Sequence, residues 1–196
     1  MFQAVSRRTV DWLIQGGSIA EEEREVHEFG LDKLFSMLSN FFFVTIIGLL
    51  SGMVVQTIVF YATYVVLRVY AGGYHADNPL RCFFISIGIV VPCLFVIHFQ
   101  QMWNVPIVFY GLLVLCTVTL AVFGPTGSKN KMPDELEKVV YRRRLWRNLV
   151  ITTASAIVLS LLDIPYIASA VLCGILLATI TAVVGKVKLR LQMRHN

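Results

Sequence analysis

The sequence predicts an all-α integral membrane protein, with six short transmembrane helices behind an N-terminal amphipathic helix that lies in the membrane interface. Three observations carry that prediction. The first is composition: of 196 residues, 57% are hydrophobic and 15% charged, against about 45–50% and about 25% in soluble domains. The second is the placement of charge. No Asp, Glu, Lys or Arg occurs in 34–67 or in 82–123, and Asp163 is the only one in 149–185. A bilayer demands such stretches, because a spanning helix needs about 20 mostly apolar residues. The third is where the basic residues fall once the spans are drawn.

The polar N-terminal segment, 1–35, comes first. Phe2, Val5, Thr9, Trp12 and Leu13 recur at helical spacing opposite Arg7, Arg8 and Asp11, the pattern of a helix lying in the interface. Gly16-Gly17 should end it. Ser18, three residues before Glu21, fits a capping box for a second helix, with Glu22 and Glu23 also in its first turn. The run Glu21, Glu22, Glu23, Glu25 and Glu28 fits either a solvated helix face or a surface for a basic partner. The first 33 residues carry 11 charges and no apolar core segment, so no cleavable signal peptide is expected.

The membrane domain is expected over 36–185. As one helix, the uncharged stretch 34–67 would measure roughly 51 Å, well beyond a hydrocarbon core of ~30 Å. Ser51-Gly52 offers a turn near its middle, giving spans 36–50 and 53–67. The second stretch breaks at 100–104, ahead of Pro106, giving 82–99 and 105–123. The third breaks at Asp163-Ile164-Pro165, giving 149–162 and 166–184. With six spans, one side holds the N-terminus, Arg68, Arg81, the basic loop 124–148 and the tail 186–196 with Lys186, Lys188, Arg190 and Arg194. The loop carries Lys129, Lys131, Lys138, Arg142, Arg143, Arg144 and Arg147. The other side holds only three short turns. Lys and Arg mark the cytoplasmic side, so both termini are expected there.

The +5 net charge would suggest nucleic acid in a soluble protein. Here it reads as loop charge, and no nucleic-acid partner is expected. Cys82, Cys93, Cys116 and Cys173 show neither C-x-x-C pairing nor metal-ligand spacing. No metal, cofactor or disulfide framework is expected.

The stretch most informative about chemistry is the loop 68–82, which joins the second and third spans on the cytoplasmic side. Gly72-Gly73 permits positive φ angles and close backbone approach. Asn78-Pro79 signals a helix start, Asn as N-cap and Pro at the first helical position. Cys82 then falls in or just past the first helical turn. The thiolate is the reactive form of cysteine, and a helix N-terminus or a basic neighbour such as Arg81 favours it. In a folded loop, His75 could reach back as base for the Cys82 thiol and acid for a leaving amine, with Asp77 as a candidate to orient the imidazole. The same spacing also suits a packed cysteine and a histidine anchored among headgroups. Spacing alone does not choose. No H-E-x-x-H, G-x-S-x-G or P-loop pattern is present.

The residues Arg68, Gly72-Gly73-Tyr74-His75-Ala76 and Cys82, with Gly124-Pro125 and Lys129-Asn130-Lys131-Met132-Pro133, resemble the signature of the accessory gene regulator B (AgrB) family. Size, span count, polar N-terminus and basic loop agree along nearly the whole chain. The resemblance implies a bacterial cell-membrane cysteine endopeptidase. It would cleave the C-terminal part from a small propeptide and help convert the rest into a cyclic quorum-sensing peptide. It further implies that His75 and Cys82 are the catalytic pair, that no cofactor is used, and that the protein is a homodimer. Arg68, Gly72, Gly73, Asp77, Lys129 and Lys131 are then supporting candidates. Arg142, Arg143 and Arg144 read either as topology determinants or as a dock for an acidic propeptide tail. In the second motif Gly124 stands where alanine is usual, and Met132 separates Lys131 from Pro133. The competing class is a small six-span peptide transporter or exporter without peptidase activity. The absence of ionisable residues inside the spans disfavours it. A headgroup enzyme is disfavoured too, because paired acidic motifs for metal-assisted phosphoryl chemistry are missing.

Overall fold

The computed structural model describes residues 3–71, 79–99, 106–125 and 135–194; the described side chains exclude those at 33, 79–87, 135–138, 189 and 192–194. The elements are α1 (Gln3–Gln15), a single 3-10 turn (Glu21–Glu23), α2 (Arg24–Leu50), α3 (Val54–Ala71), α4 (Pro79–His98), α5 (Pro106–Phe123), α6 (Glu135–Leu161) and α7 (Pro165–Arg194). No strand occurs among the described residues. The all-helical expectation therefore holds, and a helix covers each of the six segments read as spans.

Four of these helices, α2, α3, α5 and α7, are long and apolar enough to cross a membrane; within α4, Gly88–His98 forms a shorter apolar stretch. In α6 the first half carries Arg142, Arg143, Arg144 and Arg147. Its remaining uncharged part, 149–161, would measure only about 20 Å against a hydrocarbon core of ~30 Å.

The helices also run past the spans read from hydropathy. α2 starts at Arg24, α6 takes in most of the basic loop, and α7 continues through Lys186 and Lys188 into the tail. Hydropathy marks where apolar surface ends, whereas a helix ends only where the backbone meets a breaker or a closing turn. Such closing turns stand where the sequence placed them. At the end of α1 the Ser18 amide donates to the Leu13 carbonyl (3.0 Å) and the Gly17 amide to Ile14 (2.9 Å), with Gly17 at φ +67°. After α2, Met53 donates to Gly48 (2.8 Å) and Gly52 to Leu49 (3.1 Å), with Gly52 at φ +66°. After α6, Ile164 donates to Leu159 (3.0 Å) and Asp163 to Ser160 (3.3 Å), with Asp163 at φ 60°. All three are Schellman closures, and aspartate is among the residues that tolerate the left-handed position. The capping box at Ser18 does not form. The N-cap is Ala20, with no side-chain cap, because Ser18 is drawn into the closing turn of α1.

The chain divides into two compact units, Met1–Ile47 with Ala76–Val90, and Gly48–His75 with Val91–Asn196. In the first, α1 buries Ser6 and Val10 and leaves Trp12 72% exposed. Arg24 donates to Asp11 Oδ1 and to Glu21 Oε1, both at 2.6 Å, and Arg7 pairs with Glu28 at 3.5 Å. Part of the acidic run is thus neutralised from within the chain.

In the second unit α7 is the central helix, packed against α3, α5 and α6. Its small residues Ala170, Gly174, Ala178 and Ala182 recur every fourth position and are buried. In lipid no hydrophobic effect drives helix association, so close approach over small residues and interhelical hydrogen bonds replace it. A Cβ on Gly174 would lie 2.9 Å from the Phe60 carbonyl oxygen and 2.8 Å from Thr63 Cβ. Thr179 Oγ1 donates to the Cys116 carbonyl (3.2 Å), and Thr117 and Thr153 share a hydrogen bond between hydroxyls (3.1 Å). Val114, Leu115, Val118 and Val122 of α5 face outward, as a lipid-facing surface would.

Candidate functional site

The charged end of the second unit is built where α3 and α5 finish and α6 begins. Leu67 and Ala71 in the last turns of α3, Leu120 of α5 and Leu145 of α6 are all fully buried and belong to one core. Gly124 permits this convergence. A Cβ there would collide with Leu145 Cδ2 and would stand 3.0 Å from the Leu120 carbonyl oxygen and 3.7 Å from Ala71 Cα.

Around that core, three cations lie over aromatic rings. The Arg68 guanidinium donates to the Tyr64 hydroxyl one turn earlier and lies 5.5 Å from the centre of the Tyr64 ring. Arg144 of α6 stands 6.0 Å from the Tyr70 ring of α3, and the Tyr70 and Tyr141 rings meet at 6.4 Å with a 54° tilt. Lys186 of α7 stands 4.6 Å from the Phe123 ring of α5. Each such contact is worth about 0.5–1 kcal/mol at an exposed site. Together they hold basic side chains at one end of the unit, with Arg142 and Arg143 exposed on the adjoining surface of α6.

Of the residues expected to form a site, Arg68, Arg142 and Arg143 are described, and the packing gathers Arg68 and the basic start of α6 at this end. Gly72, Gly73, His75, Asp77, Lys129 and Lys131 lie outside the described residues. Cys82 is described by its backbone: α4 begins at Pro79, so Cys82 is its fourth residue, beside the positive end of the helix dipole. Among the described cysteines, Cys116 and Cys173 are buried and Cys93 is half-buried within the apolar helices. No group of His, Cys, Asp and Glu able to hold a metal occurs among the described residues. Sequence reasoning did not single out Tyr64, Tyr70, Tyr141, Phe123 or Lys186 as site residues. The i, i+4 spacing of Tyr64 and Arg68 was an available signal. The contacts between α3 and α6 had none.

Helices long and apolar enough to cross a membrane, packed around a small-residue core with basic side chains gathered at one end, mark a helical membrane protein. The chain belongs to the accessory gene regulator B family, AgrB, whose model matches residues 6–182, which places it with components of quorum-sensing systems. Similar proteins include an AgrB-like protein of Clostridium perfringens strain SM101, 31% identical over 60% of this chain and 56% of its own length. A second, from C. perfringens strain 13, is 27% identical over 70% and 66%. Protein FsrB of Enterococcus faecalis is 27% identical over 61% and 51%. The chain thus spans between half and two thirds of the length of these relatives. No solved structure matches it.

Proposed function

We propose that the protein is a cysteine endopeptidase of the bacterial cell membrane. It cleaves the C-terminal part from a small quorum-sensing propeptide and promotes cyclisation of the remainder to a thiolactone or lactone. The observation that carries this reading is the position of Cys82 as the fourth residue of α4, just after the loop that bears His75, in a chain of this family. His75 takes the proton from the Cys82 thiol, and the thiolate attacks the scissile carbonyl carbon. The tetrahedral intermediate collapses, the peptide C–N bond breaks, and His75 returns the proton to the leaving amine. The product is a thioester between Cys82 and the N-terminal part of the propeptide. A thiol or hydroxyl within that part then gives its proton to His75, attacks the same carbonyl and expels the Cys82 thiolate, which takes the proton back from His75. Exclusion of water at the membrane surface favours ring closure over hydrolysis. Arg68, Gly72, Gly73 and Asp77 shape and orient the loop. The protein acts as a homodimer in the bilayer.

The substrate's acidic tail docks on the basic start of α6. Arg142 and Arg143 are exposed there, free to meet carboxylates. Changing both to Gln is expected to raise KM several-fold with little loss of kcat, and added salt should reproduce the effect, because exposed charge pairs are screened. An unchanged KM in a normally inserted protein would leave these arginines with a topological role alone.

Six crossings place His75, Arg143 and both termini in the cytoplasm, with Trp103 and Asp163 outside. Single-cysteine variants labelled with a membrane-impermeant reagent test this arrangement. Positions 103 and 163 should label from outside, and 75 and 143 only after permeabilisation. External labelling at 75 or 143 would overturn the topology and the site together.

A further inference from the structure

We propose that Tyr70 is a positioning residue that couples docking of the substrate's acidic tail to the chemistry of the His75 loop. The inference rests on the endopeptidase reading above and adds to it how occupation of the basic surface reaches the reacting residues. Tyr70 is the penultimate residue of α3, two positions before the loop 72–78. Its ring is held from α6 by two residues one turn apart: Tyr141, at 6.4 Å between centroids, and Arg144, at 6.0 Å from guanidinium carbon to ring centre. Its neighbour Ala71 is fully buried and sits against Gly124. The last turn of α3 is therefore gripped on two sides, and one grip belongs to the same helical turn that presents Arg142 and Arg143.

The chemistry of Arg144 makes the grip responsive to a ligand. A guanidinium stacks on an aromatic ring by its face and keeps its N–H edge for a carboxylate. Arg144 is exposed, so an acidic side chain arriving on this surface can bond to that edge without displacing the stack. Capture of the carboxylate then holds Arg144 in its stacked position, and Tyr70 with it. The end of α3 is fixed at the moment the substrate is bound. A substrate lacking the acidic tail would meet a loop whose anchor is less firmly held.

The test compares two synthetic propeptides, one with its acidic tail and one with the tail carboxylates replaced by amides, on the full-length protein in lipid nanodiscs. In the wild type the acidic tail is expected both to lower KM and to raise kcat. Tyr70→Leu is expected to cut kcat for the acidic-tail substrate about two- to fivefold, to the value of the amide-tail substrate, with KM close to that of the wild type. Tyr70→Phe keeps the ring and should retain the wild-type kcat. Arg144→Gln removes the cation from the Tyr70 ring while Arg142 and Arg143 remain to dock the tail, and it should reproduce the Tyr70→Leu pattern, which keeps the proposal open to refutation if Tyr70→Leu fails to insert. A fall in kcat that is equal for both substrates marks a merely structural role for Tyr70 and overturns the coupling. So does a change confined to KM. If the wild type cleaves with a kcat indifferent to tail charge, the coupling fails while the endopeptidase reading stands. If the wild type cleaves neither substrate, the underlying reading fails and the coupling with it.

Discussion

Cys82→Ala should abolish propeptide cleavage, by at least about 10³-fold, while the protein still accumulates in the membrane. Cys82 is the fourth residue of α4, at a helix start, whereas Cys93, Cys116 and Cys173 lie within the apolar helices. Each of those three should tolerate Ala with cleavage retained. Cys82→Ser should be nearly inactive, because a hydroxyl is a far weaker acid than a thiol and one imidazole must then deprotonate it. His75→Ala should slow acylation strongly yet leave Cys82 reactive toward a small alkylating reagent, since the helix dipole and Arg81 remain to favour the thiolate. These outcomes are read by following release of the C-terminal fragment, with membrane insertion measured in parallel. Normal cleavage by Cys82→Ala would sink the peptidase reading and make the transporter reading the better one.

The second large effect concerns the bundle. Gly174→Val should destabilise the protein by about 3 kcal/mol, because the added atoms meet a backbone carbonyl that cannot swing away. Its Cβ would be 2.9 Å from the Phe60 oxygen, with Thr63 also inside contact distance. The expected result is a marked fall in Tm in detergent, or loss of folded protein from the membrane. Gly111→Ala on α5 is the control: nothing lies within 4 Å of a Cβ there, so its Tm should stay near that of the wild type. Equal stability of Gly174→Val and wild type would mean that α7 does not approach α3 closely, and the core would need to be redrawn.

These expectations draw unequally on sequence and structure. The turns at Gly17, Gly52 and Asp163 were legible, because left-handed backbone positions select for few residues and apolar stretches of known length need breaks between them. The true extents of α2, α6 and α7 were not, because a helix does not stop where its surface turns polar. Nor was the centrality of α7 read from hydropathy. α5 and α7 are comparably apolar, yet most of α7 is buried and less than a quarter of α5 is. In lipid the inner and outer faces share the same polarity, so the amphipathic period that betrays a buried face in water vanishes. The small residues at 170, 174, 178 and 182 were the signal that remained. At the site, the helix start signalled by Asn78-Pro79 was legible, and α4 begins at Pro79. The grip of Tyr141 and Arg144 on Tyr70 was not, since it joins residues about seventy positions apart with no charge complementarity to announce it.

The most direct measurement is capture of the covalent intermediate. Purified protein in nanodiscs is incubated briefly with propeptide, quenched in acid and analysed by intact-mass and peptide mass spectrometry. The expected result is an adduct of the propeptide's N-terminal part on Cys82, removed by hydroxylamine as a thioester must be and absent from Cys82→Ala. Turnover with no adduct at Cys82, or an adduct on another residue that survives hydroxylamine, would contradict the proposed chemistry.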